Sequence, residues 1–254
     1  VSTLDSAFAT AALVNAAQND EQMLFVLRHG ESRGQKDIRL YSKLGDTRIP
    51  LTDLGYRQAR TAGKTIAALL KLAGIQENPI IYSSTGERSL ATGASMLHVL
   101  IRHGYTTPFI PDMRLDKQKF GKFDGLFTRA ERKASVPSDY ARYVEEEVIN
   151  GAFYARPPEG ESIADVKGRA HDFLTTLPRD RVPKIIVTHG TNALCLEADA
   201  AGYLNQWVLD GQDKWPNCGI HILTGNAARG YRAIGFENDG IMLQKSFPQA
   251  PGLL

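Results

Sequence analysis

Cysteine is scarce in this 254-residue chain: there are two, Cys195 and Cys218. Neither belongs to a Cys-x-x-Cys pair or a Cys/His cluster, so a structural zinc site is not expected. A disulfide stays open, but free thiols in a reducing, cytoplasmic setting are the simpler reading. No run of 18 apolar residues occurs, so no membrane span is expected. Charge of one sign is missing too. Thirty Lys and Arg against 28 Asp and Glu leave a formal charge of +2, and nothing demands a nucleic acid or an acidic membrane as partner. Internal repeats and low-complexity tracts are absent. There is no Walker-type glycine loop and no carboxylate cluster suited to magnesium, so neither metal nor cofactor is expected. The opening stretch VSTLDSAFATAALVNAAQ lacks a basic n-region and a long apolar h-region. It reads as a helical or loose arm (1–22), and a processed precursor stays open.

What is present fits one α/β domain. Hydrophobic residues make up 43% and charged residues 23%, ordinary for a globular chain long enough to bury a core without staples. MLFVLR (23–28), PIIYSS (79–84), TPFIPD (107–112) and PKIIVTHG (183–190) read as strands. So do CGIHILTG (218–225) and GYRAIGFE (230–237), joined by a turn containing Gly225-Asn226. Between them lie helices. One starts after Thr52 as its cap, with Leu54, Ala59, Ala62, Ile66 and Leu69 facing inward, and ends at Gly74. A second covers 86–101, with Leu90, Ala94, Leu97 and Ile101 on one stripe. A third covers 161–177, with Ser162 as cap, Asp165 three residues on, and Ile163, Val166, Ala170, Phe173 and Leu177 inward. NALCLEADAAGYL follows the fourth strand as another helix. Residues 114–160 are irregular and read as a helical insertion over the core, in the manner of a lid. The alternation predicts a mostly parallel sheet with helices on both faces.

The tripeptide Arg-His-Gly occurs twice, at 28–30 and 102–104. In the second copy Arg102 and His103 lie in the last turn of a helix, where basic groups complement the dipole, and Gly104 stands where a left-handed cap belongs. The first copy leaves the end of a buried strand, with Gly30 allowing a sharp turn. His189 leaves another strand end, 160 positions away. Ligands of open α/β sheets collect at the carboxyl ends of strands. Arg28 adjoins His29, and Arg88 falls in the first turn of the helix after the second strand. Arginine binds phosphoryl oxygens through paired charged hydrogen bonds. One neutral imidazole can attack phosphorus while a second stabilises charge. Two Arg and two His around one spot make a metal-independent phosphoryl-transfer site.

The motifs LRHGES (27–32), IPLTDLGYRQA (49–59), SSTGERSLAT (83–92), GES (160–162) and VTHG (187–190) stand in order. Together they resemble the histidine phosphatase superfamily, also called phosphoglycerate mutase-like, over roughly residues 23–225. DIRLYSKLGDTRIPLT and RPPEGES look closest to its broad-specificity phosphatase branch. The resemblance implies a three-layer α/β/α fold with a mixed, mostly parallel sheet and an insertion closing the pocket. It implies His29 as nucleophile, becoming a phosphohistidine, and Arg28, Arg88 and His189 as holders of the phosphoryl oxygens. Gln35 stands where the family often has Asn and is placed to contact phosphate. Two positions depart from the pattern. Thr85 replaces a proline. Lys117 occupies the place of the usual carboxylic acid, the proton donor whose help is typically worth roughly 10²–10⁴-fold.

Three readings follow from Lys117. Asp116, its neighbour, supplies the proton after a small loop shift. Or the substrate is a diphosphate or acyl phosphate that needs little protonation. Or the pocket has become a phosphate-binding, regulatory or divergent non-phosphatase site in which Lys117 grips a second anionic group. The leading expectation is a cofactor-independent phosphatase acting on a small phosphorylated metabolite. A phosphomutase would need the phosphoryl group retained, which no residue here indicates. Homo-oligomerisation stays open.

Overall fold

The computed structural model describes residues 3–212, 214–226 and 230–236. Helix α1 (Thr3–Gln18) precedes strand β1 (Gln22–Arg28). Two short helices, α2 (Arg33–Lys36) and α3 (Arg39–Leu44), lead to the long α4 (Asp53–Leu72). Then come β2 (Ile80–Ser83), α5 (Glu87–Arg102) and β3 (Phe109–Pro111). The insertion carries α6 (Arg129–Ser135) and α7 (Pro137–Asn150). After it follow α8 (Ile163–Thr176), β4 (Lys184–Thr188), α9 (Gly190–Ala201) and α10 (Asn205–Asp210). β5 (Ile220–Asn226) and β6 (Gly230–Phe236) complete the sheet.

The strand order is β3-β2-β4-β1-β5-β6. The first four are parallel, β5 runs antiparallel to β1, and β6 antiparallel to β5. This is the mixed, mostly parallel sheet that the motif order implies. β1 is a continuous apolar run because both of its faces are covered. Met23, Phe25 and Leu27 point to one core with α4, α5 and α1, whose Ala9, Leu13 and Ala16 are fully buried. Leu24 and Val26 point to the other core, with α8 and α9. The joining turn expected between β5 and β6 falls partly outside the described residues, and Asn226 itself still belongs to β5.

Caps behave as their residue types dictate. Thr52 accepts a hydrogen bond from the Gly55 amide at the start of α4, and Ser162 and Asp165 form a reciprocal capping box on α8. Gly104, after α5, has φ +93°, and Arg102 and His103 are exposed. Two expectations need correction. Leu54 is exposed; Gly55 takes the inward position of that turn, because a β-carbon there would lie 2.1 Å from the Glu31 carbonyl oxygen. On α5 the buried face carries Arg88, Ser89, Thr92, Gly93 and Met96, while Ala94 and Ile101 are exposed. The site draws the polar residues of the first turns inward, the core takes Met96, Val99 and Leu100 further along, and of the expected stripe Leu97 still packs against the core while Leu90 is half-buried. The sharp turn expected at Gly30 owes its glycine to closeness: a β-carbon would sit 2.5 Å from the Gly55 carbonyl oxygen.

The insertion is held at its root. Gly121, at φ +54°, packs so tightly that a β-carbon would lie 2.1 Å from the Pro158 carbonyl oxygen. The Glu161 amide donates to Lys119 O (2.8 Å), and Gln118 donates to Glu161 O (2.7 Å). The GES segment therefore clamps residues 117–121 against the start of α8. Helices α6 and α7 contain no buried residue; they cover Phe123 through Tyr140, Tyr143 and Arg132.

Candidate active site

Sheet pairing brings the two histidines together. β1 and β4 are parallel neighbours with Arg28 opposite Thr188, so His29 and His189 emerge side by side at the carboxyl edge. Their ring centroids are 5.0 Å apart, at 64°. β2 flanks β4 on its other side, and the first turn of α5 carries Arg88 over both rings. α4 and α9 leave β1 and β4 towards opposite faces of the sheet, which opens a crevice at the switch point. A cleft of about 240 Å³ lies there, lined by Arg28, His29, Arg88, Lys117 and His189, with Gln35 and three aromatic rings around them.

Arg88 is the hub. Although only 1% exposed, its guanidinium donates to His29 Nε2 (3.2 Å), to His189 Nδ1 (3.3 Å) and to the Asp46 carbonyl (2.5 Å). It also pairs with the Asp46 carboxylate at 3.1 Å. His29 Nδ1 lies 2.7 Å from Gly30 O. A carbonyl can only accept, so Nδ1 carries the proton and the lone pair sits on Nε2, assigned from its partners. Burial, and then Arg88, hold both imidazoles well below their ordinary value of 6.5; the rings are neutral and nucleophilic near pH 7. Arg28 is anchored by the Trp215 carbonyl at 2.7 Å. Gln35 lines the cleft, tied to Ser32 and Asn217.

Lys117 faces the same cleft. Its ammonium lies 2.9 Å from Asp46 Oδ1 and within 5.2 Å of the Tyr41 and Phe120 ring centres. Burial pushes the Asp46 carboxyl up, but Arg88 and Lys117 together outweigh it and hold it below the usual carboxylate range. Asp46 is thus a charge partner and not a reservoir of protons. Asp116 does not line the cleft in this conformation, so the acid role expected of it rests on the small loop shift. Its carboxylate accepts from the Thr85 amide (2.8 Å), the Thr85 hydroxyl and the Ser84 hydroxyl (both 2.9 Å). The segment before it is pinned by Thr188 Oγ1 to Leu115 O at 2.6 Å, and by Asn192 to Arg114 O at 2.9 Å. A shift that brought Asp116 into the cleft would have to break or carry these bonds with it.

Sequence reasoning did not single out Asp46, Ser84, Trp215 or Asn217, which donates to His29 O at 2.9 Å. A carboxylate close before IPLT was the one available signal for Asp46; Trp215 and Asn217 give none, since a loop before β5 brings them in. Among the described residues, no group of three or more His, Cys, Asp or Glu is arranged to hold a metal ion. Nor is any helix there long and apolar enough to cross a membrane. His171 pairs with Asp199 on the surface, and Cys195 and Cys218 are buried free thiols.

The profile of the histidine phosphatase superfamily (branch 1) matches residues 24–232. The chain is 33% identical over 180 residues to phosphoglycerate mutase-like protein AT74H of Arabidopsis thaliana, covering 66% of this chain and 57% of that one. It is 32% identical over 164 residues to the Arabidopsis protein AT74, covering 62% and 46% respectively. It therefore spans about half the length of these relatives. Its fold is similar to that of a putative alpha-ribazole-5'-P phosphatase from Escherichia coli, with a TM-score of 0.63 and 20% identity, covering 87% of this chain and 98% of that one.

Proposed function

The chain belongs to the histidine phosphatase superfamily (branch 1), and from that premise we propose that it hydrolyses a small phosphorylated metabolite through a phosphohistidine at His29, without a cofactor. The observation that carries this reading is the Nε2 lone pair of His29, held by the Gly30 carbonyl on the far side of the ring and by Arg88 beside it. In the first step Nε2 bonds to phosphorus while the bond to the leaving oxygen breaks and its electron pair departs with that oxygen. Arg28, Arg88 and His189 surround the phosphoryl oxygens and stabilise the charge spread over them. In the second step a water oxygen bonds to phosphorus, the P–N pair returns to Nε2, and the water proton leaves to solvent.

The leaving oxygen meets Lys117 and not a carboxylic acid. A fixed ammonium stabilises an oxyanion by charge, which suits a leaving group that departs as an anion. Acyl phosphates, phosphoanhydrides and aryl phosphates are therefore the favoured class, close to the broad-specificity behaviour that the motifs suggest. On a panel run from acid to neutral pH, these should exceed simple alkyl phosphates in kcat/KM by roughly 10²-fold or more. Equal turnover of alkyl esters would overturn that preference. His29→Ala should abolish both turnover and the acid-labile phosphoprotein trapped by rapid quenching; normal activity in that variant would overturn the nucleophile. One observation favours a second reading. The Lys117–Asp46 pair stands where an acid is implied, so a phosphate-binding protein without turnover predicts affinity for inorganic phosphate and no hydrolysis at any pH.

A further inference from the structure

We propose that Asp116, Thr85 and Ser84 form a relay that fixes the tautomer of His189 and lets its ring take up a proton at Nδ1 when a phosphoryl dianion enters the cleft. The three are positioning residues. The proposal rests on the reading of the cleft as a phosphoryl site, and not on turnover.

The relay follows from donor counting. An amide N–H only donates, so the Thr85 amide at 2.8 Å makes Asp116 Oδ1 an acceptor. The Ser84 hydroxyl, 2.9 Å from the same oxygen, donates its one proton there. Its lone pairs then accept from the Gly86 amide at 3.3 Å and from His189 Nε2 at 2.8 Å. Nε2 must therefore carry a hydrogen, which leaves Nδ1 as an acceptor facing Arg88 at 3.3 Å. A proline at position 85 could supply neither the amide nor the hydroxyl. The Thr85 departure from the family pattern and the Asp116 carboxylate that it holds thus form one device.

An anion changes the balance at Nδ1. A phosphoryl oxygen competes for the Arg88 donor, and an unprotonated Nδ1 would then oppose another acceptor. A proton on Nδ1 turns that clash into a charged hydrogen bond. The resulting imidazolium is countered on its far side by the Asp116 carboxylate through Ser84. Arg88, Arg28, Lys117 and His29 face the ring and oppose its charge, and Asp46, beside Arg88, offsets them in part. The ring therefore charges with the ligand present and stays neutral without it.

The experiment measures inorganic phosphate binding by calorimetry between about pH 5 and 10, in buffers of different ionisation heats, with ¹⁵N resonances of His189 followed in parallel. Near pH 8 phosphate enters chiefly as the dianion. The wild-type protein should then take up close to one proton per phosphate, as the free Nε2–H tautomer converts to imidazolium. Asp116→Asn should move the pH of half uptake on the alkaline side down by about one unit and weaken binding up to about tenfold at and below pH 8, the loss fading as pH rises through the wild-type midpoint. Thr85→Pro, which removes two donors to Asp116, should shift the same way by less. Absence of proton uptake in the wild-type protein would overturn the proposal. So would variants that lose affinity equally at every pH with the uptake curve unmoved. Proton-linked binding without hydrolysis of any substrate leaves the relay standing and removes the phosphatase; hydrolysis without proton uptake does the reverse.

Discussion

Arg88 shows how one side chain can organise a site and also how its partners limit it. Asp46 holds its outer edge and lowers the positive potential that an incoming anion meets. Replacing Asp46 with Asn keeps the carbonyl contact to Arg88 and removes one negative charge. Two outcomes are expected. Stability falls by about 1–3 kcal/mol, because a buried guanidinium loses a charged partner, as urea unfolding would record. Inorganic phosphate binds more tightly, by several-fold up to about tenfold, since an effective dielectric near 20 leaves a sizeable Coulomb term at this range. Weaker phosphate binding in a titration would mean that Asp46 orients Arg88 more than it competes with ligand. Arg28, His29, Arg88 and His189 could be picked out in the sequence because each stands at the end of a recognisable strand or shortly after one. Asp46 could not, because its meaning depends on a buried cation that only the folded chain supplies.

At the scale of elements, legibility follows where the local physics decides. Strand β1 announces itself by an unbroken apolar run, and α8 by Ser162 and Asp165 three residues apart. The buried face of α5 was misread because a site, and not a core, claims its first turns. Residues 114–160 stayed vague for a similar reason: α6 and α7 bury nothing of their own, so no period appears. The order of this region comes from the root, where Gly121 sits in the left-handed region against Pro158. Gly121→Ala should cost about 1–3 kcal/mol through backbone strain, and more if the clash forces the loop apart. Because Lys117 and Phe120 belong to that loop, kcat/KM should drop further than the stability loss alone explains. A thermal melt and a kinetic assay on the same preparation would check both, and an unchanged melting temperature would contradict the packing described.

For the molecule as a whole, two cores clamp one sheet while two neutral imidazoles sit at its edge. The folded pKa of each ring lies below the ordinary 6.5. Below that value the unfolded chain binds protons that the folded chain refuses, so stability must fall as pH drops below about 6.5. Each ring contributes a slope of up to about 1.4 kcal/mol per pH unit while the two states differ by a full proton. Melting temperatures of the ligand-free protein should thus decline from pH 7 to 5, and His189→Asn should flatten the decline; a flat wild-type profile would show rings already charged in the fold. The pairing of β1 with β4 carries a last consequence. His29 is made early in synthesis, but its companion ring is added only after the chain has reached the strand that ends at Thr188. A nascent polypeptide on the ribosome therefore holds one half of the cleft without the ring beside it, and the cleft is assembled only when its distant half arrives.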